Sequence, residues 1–117
     1  MPTSKQILNK LRRICLSYPD AEESETWGKP HFRVKNKIFC GFGEEEDGTP
    51  VIGFKLSMAH QKKVIARSGF WKAPYVGKHG WVSMDASKIK DWKKVEAFVD
   101  ESFRLIAPKR TLAKLED

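Results

Sequence analysis

The hydrophobic positions near the start of the chain recur at helical spacing: Ile7, Leu8, Leu11, Ile14 and Cys15. Thr3 and Gln6 precede them at the spacing of a capping box, which marks a helix N-terminus. Pro19 cannot continue the pattern. We therefore expect a first helix over about residues 4–17.

From Glu22 the hydrophobic period changes to two, which is typical of strands. Four strands are expected, over residues 22–27, 31–34, 38–42 and 51–56. In the second, Phe32 and Val34 share one face, so that His31, Arg33 and Lys35 fall on the other. The hairpin turn is expected near Asn36 and Lys37, because Asn tolerates a positive φ. In the third, Ile38, Cys40 and Phe42 should share a face opposite Phe39 and Gly41.

The second half of the chain predicts two more helices around one or two strands. Ser57 is a good N-cap for a short helix to about Ala66, residues 67–80 are irregular, and residues 81–84 form a strand. A last helix is expected from Asp91 until Pro108 ends it. The order α-β(3–4)-α-β(1–2)-α predicts an α+β fold, a two-layer sandwich with helices covering an antiparallel sheet.

Length and composition fit one domain over residues 1–117, with 40% hydrophobic residues and four tryptophans. Cys15 and Cys40 lack CxxC spacing, so we expect them to be thiols in the core. The sequence shows neither a signal peptide nor an apolar run of membrane-spanning length. We therefore expect a cytoplasmic monomer with no membrane partner.

The net charge of +7 is unevenly distributed. Three windows, residues 1–19, 26–43 and 48–84, contain no acidic residue. The carboxylates concentrate in residues 20–25, in residues 44–47 and in the C-terminal part. A basic surface on a small domain attracts polyanions, and nucleic acid is the commonest of them.

The first candidate site is a cationic sheet face. Arg33, Lys35 and Lys37 lie on or beside one predicted hairpin, and Lys55 points away from the apolar face of its own strand. Together they could contact phosphates, which position a protein without specifying a base sequence. The alternative is a solvated face that only keeps the protein soluble.

The second candidate site is the segment from Gly69 to Trp81, which interleaves aromatic and basic residues. They are Phe70, Trp71, Lys72, Tyr75, Lys78, His79 and Trp81. Cations between exposed rings suit single-stranded nucleic acid. The alternative is a loop whose aromatic side chains close the edge of the core, with Trp81 packed inward.

Lys109 and Arg110 follow Pro108 and are expected to cap a helix C-terminus, where the helix dipole favours cations, or to extend a binding surface. No catalytic or metal site is predicted, because His31, His60 and His79 are widely separated. Glu22, Glu23 and Glu25 could hold a divalent cation, but a solvated edge is the favoured explanation.

Three segments resemble the MmcQ/YjbR-like family. They are residues 27–39, from Trp27-Gly28-Lys29-Pro30 to Phe39, then Tyr75-Val76-Gly77 leading to Gly80-Trp81-Val82, and residues 102–110. The resemblance implies a two-layer sandwich related to CyaY-like proteins and secretion chaperones. Family members are commonly described as DNA-binding with a double-wing shape, and the family provides no agreed catalytic residues.

We therefore expect a non-enzymatic nucleic-acid-binding protein of low sequence specificity and without a cofactor, with DNA expected ahead of RNA. One alternative is a protein-interaction or chaperone-like module that uses Phe70, Trp71 and Tyr75. The other is a small-molecule or metal-binding domain, which would need a concave pocket.

Overall fold

The computed structural model describes residues 2–116 and contains four α-helices and six strands. The helices are α1 (Ser4–Leu16), α2 (Met58–Val64), α3 (Trp92–Ile106) and α4 (Lys109–Ala113). The strands are β1 (Ala21–Thr26), β2 (Lys29–Val34), β3 (Lys37–Glu44), β4 (Pro50–Lys55), β5 (Phe70–Lys72) and β6 (Trp81–Asp85). All six form one antiparallel sheet in the order β1-β2-β3-β4-β6-β5. The α+β prediction is therefore confirmed.

One face of the sheet is covered by helices. Phe32, Cys40, Phe54 and Val82 pair in one row across β2, β3, β4 and β6, and all four are buried. Helix α3 packs on β3 and β4, and α1 packs beside it and against β1. The alternate residues of the strands point the other way and form what we call the open face. There His31, Gly41 and Gly53 are only partly buried.

The first helix confirms its predicted start. Thr3 accepts a hydrogen bond from the backbone N–H of Gln6, and the Gln6 side chain accepts one from the backbone N–H of Thr3. Both cysteines are buried thiols, as expected. Burial and the neighbouring Cys40 raise the pKa of Cys15, so this thiol stays protonated.

The hairpin between β2 and β3 differs from the prediction at two points. The turn residues are Lys35 and Asn36, both with positive φ (48° and 69°), as a two-residue turn between twisted strands requires. Lys35 therefore lies in the turn and not on the face that it was predicted to share with Arg33. The pairing of Arg33 with Ile38 and of Phe32 with Cys40 leaves Phe39 as an extra residue, a β-bulge. Ile38 consequently lies on the open face, opposite to its expected side.

A serine from α3 repairs the sheet beside this bulge. The Ser102 hydroxyl accepts a hydrogen bond from the backbone N–H of Lys55 (2.9 Å) and donates one to the carbonyl of Phe39 (2.5 Å). It thus bridges β3 and β4 where the bulge shifts the pairing. Ser102 is fully buried, so water does not make these two hydrogen bonds in its place.

The C-terminal segment corrects the expectation for Lys109 and Arg110. Pro108 is the N-cap of α4, so these two cations lie at the start of a helix and not at its C-terminal end. Proline ends α3 but suits the first turn of the next helix, because its φ is fixed and it needs no N–H partner there. Asp20 holds this segment against the loop before β1, accepting hydrogen bonds from Thr111 and Lys114.

Three carboxyl groups with lowered pKa values predict that the stability of the fold is sensitive to acid. The Lys114 ammonium lowers the pKa of Asp20, the Arg12 guanidinium lowers that of Glu23, and the Thr49 backbone N–H lowers that of Asp47. Carboxyls whose folded pKa lies below the unfolded value, about 4, stabilise the fold above that pH. Their contribution is lost as pH falls through the folded pKa.

We therefore expect the free energy of unfolding, measured in urea, to fall mainly below about pH 4. The Glu23→Gln variant should show a shallower fall than the parent protein. A loss concentrated between pH 7 and 5 would contradict this expectation, because the three carboxylates stay ionised in that range.

Candidate binding groove on the open face

The open face carries a groove of about 510 Å³. Its floor consists of residues with little or no side chain: Gly41, Gly43, Gly53 and Ser83. Aromatic and apolar side chains form its walls: Trp27, Trp71, Trp81, Pro74 and Val76. The register explains the floor, because Gly41 pairs with Gly53 and Gly53 pairs with Ser83 across neighbouring strands. The missing side chains leave the backbone exposed along one row of the sheet.

The glycines of the floor are not equivalent. The His31 ring lies across Gly41, with its Cδ2 3.0 Å from where a Cβ would be. The Lys29 chain lies across Gly43 in the same way, at 3.2 Å. At Gly53 the nearest atom to such a Cβ is the Val82 carbonyl oxygen, at 3.9 Å. Gly53 is therefore the uncovered part of the floor, where a flat ligand could approach the backbone.

Trp27 stands at one side of the groove with 90% of its surface exposed. It and Gly28 form the turn between β1 and β2, and both have positive φ, 52° and 75°. This conformation costs a bulky residue of order 1–3 kcal/mol, and such strain is concentrated at functional sites. An exposed, strained tryptophan beside a groove favours a role in binding.

The opposite wall belongs to the loop between β5 and β6, which is firmly held. The buried Gln61 side chain donates hydrogen bonds to the carbonyls of Gly77 (2.7 Å) and Trp81 (2.9 Å). Gly80 turns the chain into β6 with φ 98°, and a Cβ there would lie 2.3 Å from the Leu56 carbonyl oxygen. Only glycine fits this position. The wall therefore keeps its shape without a ligand.

The structure brings only two of the ten predicted site residues onto the open sheet face. Arg33 and Lys55 lie there, paired with Ile38 and Trp81 at the end where β3 begins. The Arg33 guanidinium donates to Ser24, Thr26 and the Asn36 carbonyl. These bonds fix its position, and it keeps its charge.

The other predicted residues are dispersed. Lys35 is in the turn, 3.9 Å from Asp20, and Lys37 begins β3. Lys72 lies across Gly77, and Lys78 and His79 occupy a 3-10 turn beyond it. Tyr75 is 96% exposed, between the groove-lining Pro74 and Val76, and Lys109 and Arg110 are on α4. The predicted cationic face is thus reduced to a pair, and the aromatic loop contributes Trp71 and Trp81, with Tyr75 at the rim.

The sequence interpretation missed Trp27, Lys29 and the glycine floor. Trp27 and Gly28 were treated as part of a strand and a turn. A usable signal existed, because Gly41 and Gly43 are two apart and Gly53 interrupts an otherwise apolar strand. Glycines at strand spacing mark places where something approaches the backbone closely.

Two other features do not add to the groove. A smaller cleft of about 270 Å³ lies between α3 and β5, with the cations Arg67, Lys88, Lys90 and Lys94 around an apolar base. Glu23, one of the candidate cation ligands, is held by Arg12 through two hydrogen bonds of 2.5 and 2.9 Å. Among residues 2–116, no three His, Cys, Asp or Glu side chains group as a metal site would require. Within the same residues, no helix combines the length and apolar character needed to cross a membrane.

Comparison with known proteins gives a family and a fold. A family model described as YjbR matches residues 16–105. The fold is similar to a crystal structure of protein DR2400 from Deinococcus radiodurans, whose domain is described as DUF419 (TM-score 0.78, 15% identity, 99% of this chain and 92% of that one). It is also similar to a protein from Pseudomonas syringae (TM-score 0.68, 17% identity, 84% and 96% covered). No curated protein matches this sequence.

Proposed function

The chain belongs to the YjbR family, and we propose that it is a non-enzymatic nucleic-acid-binding protein that receives its ligand in the open-face groove. The observation that carries the proposal is the groove itself, with three tryptophans around an uncovered glycine, in a chain of net charge +7. Indole rings stack on nucleobases, and a positive field draws the phosphates.

The aromatic walls of the groove favour the binding of unpaired bases of any sequence. Every base has a flat π-face, so stacking on Trp27, Trp71 or Trp81 discriminates little between bases. Arg33 and Lys55 lie just beyond the groove, where they could contact phosphates without reading bases. Low sequence specificity follows. We expect DNA to be the main ligand, in keeping with the resemblance.

The arrangement of polar groups favours binding over catalysis. His31 and Ser83, a conceivable base and nucleophile, stand in one row of the sheet on β2 and β6. Two strands separate them, which places their backbones about 14 Å apart at the usual ~4.8 Å per strand. A general base must come within hydrogen-bond reach of the nucleophile, so this pair does not make a hydrolytic site.

Replacing Trp27 by alanine tests the proposal. Loss of one stacked base costs about 1–3 kcal/mol, so filter binding of a single-stranded oligonucleotide should weaken about 5- to 150-fold, with unchanged thermal unfolding. The control is Met58→Ala, which removes another exposed apolar side chain, 55% exposed, from α2. No detectable binding by the parent protein at low salt, or equal binding by both variants, would contradict the proposal.

Exposure at the rim of the groove favours a second candidate, a protein-interaction module. Tyr75 is 96% and Val76 44% exposed beside Pro74, and aromatic side chains of this kind anchor protein interfaces. The two candidates differ in their salt dependence. Binding to nucleic acid should weaken steeply with rising salt, because counterions are released, whereas an apolar interface should persist.

A further inference from the structure

Charges are separated along the strands that carry the groove. Strand β3 runs from the end that holds Arg33 and Lys55 to the end that holds Glu44. Glu44 and Glu45 line the groove there. Six residues separate Ile38 from Glu44, about 20 Å at ~3.4 Å per residue. The groove thus has an acidic end, and the two cations lie beyond its other end, which we call the basic end.

This separation limits how a phosphate chain can lie. A continuous strand that crossed the groove would pass from the two cations to Glu44 and Glu45, and the acidic turn continues through Glu46 and Asp47. Carboxylates repel phosphates that pass beside them. Lys29 is the one cation among the lining residues, and its chain lies down across Gly43. The Lys29 ammonium therefore lies at the acidic end, where the four carboxylates of residues 44–47 outnumber it. Phosphates are favoured at the basic end.

The acidic end suits a different group. Carboxylates are strong hydrogen-bond acceptors, and a sugar hydroxyl is a donor. A strand that stops inside the groove would present a terminal hydroxyl there and no phosphate. The volume of about 510 Å³ is also that of a small-ligand site, whereas proteins that follow a strand through their surface contact about 4–16 nucleotides per domain.

From these observations we infer that the groove receives the hydroxyl terminus of a single strand. The inference rests on the proposed function and narrows it to strand ends. The terminal base lies flat over Gly53 among the three tryptophans, its sugar hydroxyl faces Glu44 and Glu45, and the backbone leaves past Lys55 and Arg33. Internal stretches and closed circles cannot adopt this arrangement.

Four forms of one 20-nucleotide sequence test the inference by filter binding: a linear strand with hydroxyls at both ends, the same strand with phosphates at both ends, its covalently closed circle, and its blunt duplex. We expect the hydroxyl-ended strand to bind at least tenfold more tightly than each of the others. Equal binding of the circle and the linear strand would overturn the inference and leave the proposed function standing. Absence of binding to all four would overturn both.

The acidic end can be tested separately. In the Glu44→Gln/Glu45→Gln variant we expect the circle and the phosphate-ended strand to gain at least fivefold in affinity, so that the preference for hydroxyl ends shrinks. The control is Glu25→Gln/Glu96→Gln, which changes the net charge equally at exposed positions outside the groove. An equal gain in both double variants would mean that total charge, and not the groove, sets the preference, which contradicts the inference.

Discussion

Replacing Ser102 by alanine is expected to destabilise the protein by about 3 kcal/mol, because each buried backbone group left without a partner costs about 1–3 kcal/mol. The hydroxyl serves two such groups, the N–H of Lys55 and the carbonyl of Phe39. The β3–β4 ladder ends at Cys40 and Phe54 and does not pair these two groups. The effect is therefore larger than that of an ordinary lost hydrogen bond.

Urea unfolding measures this change, and amide hydrogen exchange shows its origin. The Lys55 amide should lose protection more than its neighbours in β4, because only its partner is removed. Ser68→Ala is the matched control, since Ser68 is exposed and surface substitutions usually change stability by less than about 0.5 kcal/mol. A change in Ser102→Ala as small as in the control, with Lys55 still protected, would mean that the bridge contributes nothing.

Replacing Gly53 by valine is expected to reduce ligand binding at least thirtyfold while the fold is kept. A Cβ at this position has free space, with its nearest neighbour at 3.9 Å. The Cβ of a valine therefore enters the groove without a clash, and the side chain covers the floor glycine over which no other side chain lies. Strands also favour valine over glycine, so the melting temperature should stay the same or rise. Few substitutions separate binding from stability so clearly.

The control for this variant is Ser83→Ala, next to Gly53 on the same face, which removes an oxygen and adds no volume. It should bind within about threefold of the parent, because it leaves the space above Gly53 open. If Gly53→Val is folded and binds as the parent does, the groove is not the binding site. The melting curve shows whether Gly53→Val is folded, so that a loss of binding caused by unfolding is recognised.

Local sequence signals predicted the elements well where one physical signal dominated. The capping box at Thr3 and Gln6, the N-cap Ser57, the start of the last helix at Asp91 and the alternation in β4 are all confirmed. The bulge at Phe39 could not be read in this way. Its stabilisation involves Ser102, 63 residues away, which donates a hydrogen bond to the carbonyl of the bulged residue.

The site was harder to predict, because charge was given more weight than shape. Lys35 alternates correctly with Arg33 in the sequence, but the positive φ of the turn takes it off the face. Lys109 and Arg110 were assigned to the wrong end of a helix, since Pro108 both ends one helix and begins another. The groove arises where side chains are missing, and it becomes visible only when the register aligns Gly41, Gly53 and Ser83.

The exposed indole of Trp27 also has a spectroscopic consequence. With 90% of its surface in water, it should emit at longer wavelength than Trp71 and Trp81, which are partly shielded. Any molecule that covers the β1–β2 turn would shift or quench that emission. The protein therefore carries an intrinsic fluorescent reporter beside its groove, and compounds of unknown chemistry can be screened against it without a label.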